Sequence, residues 1–257
     1  MKTLLIAAAG KSTRFGGEPK AFASVLGEPN IVRTIRLARK YFSDIRVIVS
    51  EDKKEMAQEV LSEVPLIPIV TGQGDADSLR KALRWMERAG TLPSRLALCW
   101  GDAVFVSDRP FSQLCKRSVD WNESVPALVA CAEDEQPYAW FEVDGTKIRR
   151  ARFRREELRP VSEGLHDQSL FALLTAPLLN VLDECRHRLG FDRYDESSYD
   201  KNRGEMRLLE VLTHLYIMGH AAEVVEISSH QVLSFNTKEE LQRIEEILAS
   251  NNVCADD

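Results

Sequence analysis

Leu4-Leu5-Ile6-Ala7-Ala8-Ala9-Gly10-Lys11-Ser12-Thr13-Arg14-Phe15-Gly16-Gly17-Glu18-Pro19-Lys20 is a short apolar run that breaks at once into a loop of small and cationic residues. The run is long enough for a strand but too short for a signal-peptide core, and Gly10 and Lys11 follow it directly. A strand that is apolar at every position is one covered on both faces. In the loop, small side chains let the backbone approach a ligand, and successive main-chain N–H groups can cradle phosphates. Arg14 and Lys20 add cations, and arginine can grip phosphate oxygens with two parallel hydrogen bonds. A solvated surface loop would have a similar composition. Two lookalikes fail on a required position. A P-loop would need a glycine at Leu5, inside the strand, and a nucleophile elbow would need one at Arg14.

Outward from this loop, short apolar runs alternate with helical patterns. Leu4–Ala8, Ile45–Val49, Leu66–Val70 and Leu96–Trp100 read as buried strands. Between them Ile31–Tyr41, Lys53–Ser62 and Asp77–Ala89 carry apolar residues at helical spacing, with Ile31, Ile35 and Ala38 on one face. This rhythm predicts a three-layer α/β sandwich around a mostly parallel, Rossmann-like mixed sheet. Ligands in such sheets bind at the carboxyl ends of the strands, here the segments after Ala9, Val70 and Trp100. The rhythm changes after Pro126. Leu128–Cys131 and Trp140–Val143 read as strands, and Asp144-Gly145 signals a hairpin into Lys147–Phe153. A polar stretch Arg154–Asp167 precedes the apolar run Ser169–Leu174, a helix near Pro177–Leu189 and a loop Gly190–Gly204. A helix Met206–Met218 and a strand Ala222–Ile227 follow. Thr237 and Glu240 have capping-box spacing and fix the start of a last helix. The whole, residues 1–257, is expected to be one domain with a substrate-side hairpin and loop insertion around 132–205.

Composition sets outer limits. The 257 residues contain 44% hydrophobic and 29% charged side chains, ordinary values for a globular chain. No apolar run approaches a bilayer span, so no membrane partner is expected. The net charge of −6 argues against nucleic acid as a partner. Five cysteines, odd in number and without a CxxC pair, point to free thiols and a cytoplasmic protein. The five histidines show no HxxxH or HExxH spacing, which argues against zinc. Asp102 ends an apolar strand just after Gly101. A carboxylate there is expensive unless it is paired or bound to a cation, although it could also cap the next helix. Magnesium takes only one or two protein oxygens besides phosphates and water, so one Asp and one Asn from distant segments would suffice. Asn236, just before the capping box, has an ordinary loop explanation as well.

The stretch Ala7 to Lys20 resembles the signature loop of the nucleotidyltransferases that include sugar-1-phosphate, methylerythritol-phosphate and molybdenum-cofactor enzymes. The resemblance implies that Ala8, Ala9, Gly10, Lys11 and Ser12 wrap a nucleoside triphosphate, with Arg14 and Lys20 on its phosphates. Thr71-Gly72-Gln73-Gly74-Asp75-Ala76-Asp77-Ser78 resembles the base-reading turn, which implies nucleotide contacts for Gly72 and Ser78. Trp100-Gly101-Asp102 resembles the family's magnesium-holding element, with Asp102 also beside the nucleotide. Ser234-Phe235-Asn236-Thr237, with Leu241 and Glu245 beyond, resembles the segment that supplies a second metal ligand, here Asn236. Ser12 departs from the glycine usual in sugar-specific members, and Gly16-Gly17 is closer to the molybdenum-cofactor group.

The implied reaction is magnesium-dependent transfer of a nucleotide from a triphosphate to a sugar-1-phosphate or similar phosphorylated small molecule, with release of pyrophosphate. Two other classes stand beside it: a degenerate nucleotide-binding protein, and a nucleotide-sugar glycosyltransferase, whose D-x-D motif has one match at Asp75-Ala76-Asp77. For the acceptor, Tyr138, Arg152 and Arg154 are the candidates. Strand alternation places Arg150, Arg152 and Arg154 on one face, opposite Ala151 and Phe153. Such a row suits an acceptor with extra negative charge, or a sheet edge blunted by charge.

Overall fold

The computed structural model describes residues 1–12, 15–135, 137–154, 163–188 and 204–253. The first strand, β1 (Thr3–Ala7), is flanked in parallel by β4 (Asp44–Ser50) and β6 (Arg95–Trp100), and β5 (Leu66–Ile69) extends the sheet beyond β4. The connections are α1 (Asn30–Ala38), α2 (Lys54–Val60) and α3 (Asp75–Arg88), with a small hairpin of β2 (Ser24–Val25) and β3 (Glu28–Pro29) ahead of α1. Successive side chains of these strands point to opposite faces. Leu5, Ile48 and Leu98 join one core with α3, and Leu4, Ile6, Val47 and Cys99 join another with α1 and α2. Both faces are therefore filled, which is why each strand reads as an unbroken apolar run.

The second half adds β7 (Ala103–Phe105), α4 (Arg109–Arg117), β8 (Ala127–Glu135), β9 (Ala139–Asp144), β10 (Lys147–Phe153) and β11 (Glu163–Leu174). They are followed by α5 (Thr175–Arg188), α6 (Leu208–Ile217), β12 (Glu223–Glu226), β13 (Val232–Ser234) and α7 (Lys238–Val253). The main sheet among the described residues runs β5-β4-β1-β6-β11-β8-β12-β10-β9. Here β11 is antiparallel to β6 and β8, while β12 is parallel to β8. The fold is thus the expected α/β sandwich around a large mixed sheet, with α5 and α6 packed on the α3 side and α4 on the α1 side. The strand order reverses between β1 and β6, and that switch point opens a crevice at the carboxyl ends of both.

Two strands are longer than the sequence implies. β8 runs on to Glu135 and β11 begins at Glu163, because Ala132–Glu135 and Glu163–His166 pair with each other beyond the core. Glu133–Glu135 and Glu163 are exposed, whereas Gly164 packs on Trp140 and Leu165 on the core. No helix among the described residues is long and apolar enough to cross a membrane. Four described cysteines are free thiols, and burial pushes the Cys99 and Cys131 thiols well up, as inert core groups.

Candidate active site at the switch point

The loop after β1 is closed by its own backbone. Ser12 adopts a left-handed conformation with φ 51°. Its carbonyl accepts from the N–H groups of Phe15 (2.9 Å) and Gly17 (3.1 Å), and its Oγ accepts from the Lys20 N–H at 3.1 Å. Gly16 and Gly17, with φ of 73° and 83°, supply the reversal that other residues rarely adopt. Lys53 donates to the Gly10 carbonyl at 2.8 Å and steadies the near side. Phe15 pins the far side by packing edge-on against Phe235, ring centroids 5.4 Å apart, within a small core shared with Val25, Val104, Ile244 and Leu248. Ala8 and Ala9 are buried where the loop leaves the sheet, whereas Gly10 and Lys11 are exposed along its rim. Arg14 lies outside the described residues.

The loop ends by delivering Lys20 to the middle of the crevice. Its ammonium pairs with the Asp102 carboxylate and also reaches the Phe235 carbonyl (3.2 Å) and Asn236 Oδ1 (3.4 Å). Three segments that are distant in sequence therefore meet at one point. Each approach has a local cause. Gly101 N–H donates to the Ala7 carbonyl at 2.9 Å, and a Cβ at Gly101 would stand 2.8 Å from Ala21 Cβ, so only glycine lets Asp102 come this close to β1. Asn30, fully buried, donates its amide to both Gly101 O and Ala103 O at 2.9 Å each, bracketing Asp102 from below. On the other side β13 pairs antiparallel with β7, Ser234 opposite Ala103, which carries Phe235 and Asn236 to Asp102. The capping box forms as its spacing implies: Glu240 N–H donates to Thr237 Oγ1 at 3.2 Å, and Glu240 Oε2 accepts from the Thr237 N–H at 3.3 Å and from the Asn236 N–H. Asn236 is thus held by the start of α7.

The second wall is the turn from Thr71 to Ser78. Gly72 packs so tightly on the start of α3 that a Cβ there would lie 2.3 Å from Ser78 Oγ and 2.5 Å from Ser78 N. Gly74, at φ 103°, leaves room for Met206, whose N–H donates to Gln73 O (2.8 Å) and whose carbonyl accepts from Ala76 N–H (3.0 Å). The two acids of the D-x-D triplet part company. Asp77 is buried: its carboxylate accepts from the Gln73 N–H at 2.9 Å and pairs with Arg80 (3.2 Å), Lys81 (3.5 Å) and Arg186 (3.1 Å). Burial works to raise this carboxyl, but the Gln73 N–H and the three cations outweigh it and hold it below the usual range. Asp77 fastens the turn from beneath and does not line the crevice. Asp75 does line it, accepting the Leu208 N–H at 2.8 Å.

The result is a cleft of about 480 Å³. It is lined by Ala8, Ala9, Gly10, Lys11, Ser12 and Lys20 on one side, by Gly72, Asp75 and Ser78 on another, and by Asp102 and Asn236 at the centre. Tyr138, Phe153, Glu205 and Arg207 close the far end. Arg152 and Arg154 are not among the lining residues. Arg152 faces along β10 with Trp140 and Glu142 and pairs with Glu142 at 2.8 Å, while Phe153 on the opposite face enters the cleft. Arg154 is exposed, its N–H donating to Tyr138 O at 2.9 Å. The sequence reading missed Asn30, whose role needs the buried turn beside it, and Glu205 and Arg207, which reach the cleft only because Met206 clasps Gln73 and Ala76.

Comparison with known proteins gives the family and the fold. A family model described as MobA-like NTP transferase domain matches residues 4–190. No curated protein matches the sequence. Among solved structures, that of the inositol-1-phosphate CTP transferase from T. maritima shares the fold, with a TM-score of 0.70 at 15% identity over 97% of this chain and 95% of that one.

Proposed function

Because this chain belongs to the family of MobA-like NTP transferase domains and is a nucleotidyltransferase, we propose that the cleft joins a nucleotide to the phosphate of a sugar-1-phosphate or similar phosphorylated polyol. The observation that carries this reading is the meeting of Lys20, Asp102 and Asn236 at the carboxyl end of β6, between the glycine-bearing loop and the turn at Gly72. The loop and Ala8–Ser12 hold the triphosphate, with Gly72 and Ser78 against the nucleotide. An oxygen of the acceptor phosphate attacks the α-phosphorus in line, the bond to the bridging oxygen breaks, and pyrophosphate leaves. No protein nucleophile is needed, so the chain contributes position and charge. Lys20 places an ammonium where negative charge builds on the transferring phosphoryl group, and Arg14 belongs to the same task. The fold shared with an inositol-1-phosphate CTP transferase supports a phosphorylated polyol as acceptor.

The donor set fits magnesium. The Asp102 carboxylate and the Asn236 amide oxygen both lie against one cationic point, Lys20 Nζ, and two protein oxygens are what magnesium takes when phosphates and water complete its shell. Held by these two oxygens, with the Lys20 ammonium turned to the phosphates, magnesium would neutralise phosphate charge and orient the triphosphate. The test is a pyrophosphate-release screen of the four common ribonucleoside triphosphates against phosphorylated sugars and polyols. Release with one triphosphate and one acceptor together, and with neither alone, is the expected result; no release from any pair would refute the reading.

A further inference from the structure

The far end of the cleft carries a built set of side chains that nucleotide transfer itself leaves unused. Residues 205–208 run beside the turn at Gln73–Ala76, and Met206 is buried against it. Alternation then sends Glu205 and Arg207, on either side of Met206, into the cleft. The Arg207 guanidinium lies 4.8 Å from the Phe153 ring centroid and is flanked by Glu210 at 3.0 Å and Glu205 at 4.0 Å. Tyr138 stands edge-on to Phe153, centroids 6.5 Å apart, and is half exposed to the same space. Asp75 completes the set, held by the Leu208 N–H.

We propose that Glu205 and Arg207, together with Asp75, select an acceptor whose body beyond the reacting phosphate is uncharged and rich in hydroxyl groups. This rests on the nucleotidyl-transfer reading above and adds the acceptor's chemistry to it. A hydroxyl both donates and accepts; the carboxylates accept from it and the guanidinium donates to it. Tyr138, half exposed and seated against the buried Phe153, offers apolar surface to the C–H face of a ring, the usual division of labour in a small-molecule site. Asp75 is pushed up to about 7 by its protein surroundings and by the charges of Asp167 and Glu205, against the Leu208 and Ala76 N–H groups. Water also reaches the residue and weakens this shift, so Asp75 acts beside Glu205 as an acceptor. Among the described residues at this end of the cleft, a second phosphate or a carboxylate on the acceptor would meet one guanidinium, Arg207, already paired with Glu205 and Glu210, beside the Asp75 and Glu205 carboxylates. Like charges brought together in this way exclude a ligand. The stacking on Phe153 of β10, on the far side of β6 from β4 and β5, places Arg207 in the acceptor half.

The test is a set of kinetic and binding measurements on the intact chain and on Glu205→Gln and Arg207→Met. The acceptor probes are glucose 1-phosphate, myo-inositol 1-phosphate, glucose 1,6-bisphosphate and glucuronic acid 1-phosphate. Glu205→Gln is isosteric at an exposed position and keeps the fold. Each variant is expected to raise the acceptor's KM, or its calorimetric Kd, about tenfold to a hundredfold while leaving the triphosphate's value unchanged. The intact chain is expected to favour the neutral-bodied monophosphates over the two doubly charged probes. Preference for a doubly charged probe, binding of none of the four, or variants that shift the triphosphate's constant instead would overturn the inference. If binding follows the expected pattern but no pair releases pyrophosphate, the transfer reading falls and the selectivity stands.

Discussion

At the scale of single residues, the centre depends on groups that never touch a substrate. Asn30 is the clearest. It holds two backbone carbonyls on either side of Asp102, and both would lose a buried partner in Asn30→Ala. Each buried carbonyl left unpaired costs about 1–3 kcal/mol, so a loss of about 2–6 kcal/mol in denaturant unfolding is expected. Turnover should fall further than stability explains, since Asp102 loses its support. Unchanged stability would show that the amide carries no such load. Asp75 gives a pH prediction. Its folded carboxyl is raised to about 7 while the unfolded one stays at its ordinary 3.8, so between these values the folded chain holds the extra proton. Stability contributed by Asp75 is therefore full below the unfolded value and is lost as pH rises through about 7. Solvent access makes the effect small, and Asp75→Asn should remove it, giving a flatter melting temperature between pH 5 and 8 than the parent. A steeper decline in the variant would contradict the assignment.

At the scale of elements, the turn at Gly72 and the ribbon of β7 and β13 make the two walls of the centre. Gly72→Ala would set a methyl group 2.5 Å from the Ser78 backbone nitrogen, where a flexible side chain cannot yield. Overpacking of this kind costs about 1–3 kcal/mol and must push the turn from α3. The expected readout is a raised KM for the triphosphate, with a smaller rise in the acceptor's KM because Asp75 and Met206 move with the turn, and an unaltered triphosphate KM would separate the turn from the nucleotide. The same elements show what a sequence discloses. Buried strands such as Leu4–Ile6 and Leu96–Cys99 announce themselves because both faces demand apolar side chains. The three-residue pairing of Val232–Ser234 with Ala103–Phe105 does not, because so short and distant a match leaves no periodicity. The capping box at Thr237 was legible since its hydrogen bonds join residues three apart. Glu163–His166 stayed hidden because Glu-Gly-Leu-His offers one apolar side chain, too few to show a strand's alternation.

At the scale of the whole molecule, the sheet order concentrates three remote segments at one switch point. Lys20, Asp102 and Asn236 were each recognisable as candidates from neighbouring residues, yet their meeting depends on β1, β6 and β13 being brought together by the fold. Arg207 was not recognisable, because an arginine ahead of a helix is ordinary until Phe153 stands beneath it. Arg152, conspicuous in sequence among its basic neighbours, pairs with Glu142 outside the cleft. The claim that ties these levels together is that Asp102, with Lys20 and Asn236, forms the centre of metal-assisted nucleotidyl transfer. The measurement that tests it most directly is a magnesium titration of pyrophosphate release by the parent chain and by Asp102→Asn, each shown to be folded by circular dichroism. The account predicts no release with chelator, saturable release with magnesium in the parent, and turnover lower by about 10²–10³ in the variant. Release that ignores magnesium, or a folded Asp102→Asn as active as the parent, would contradict it.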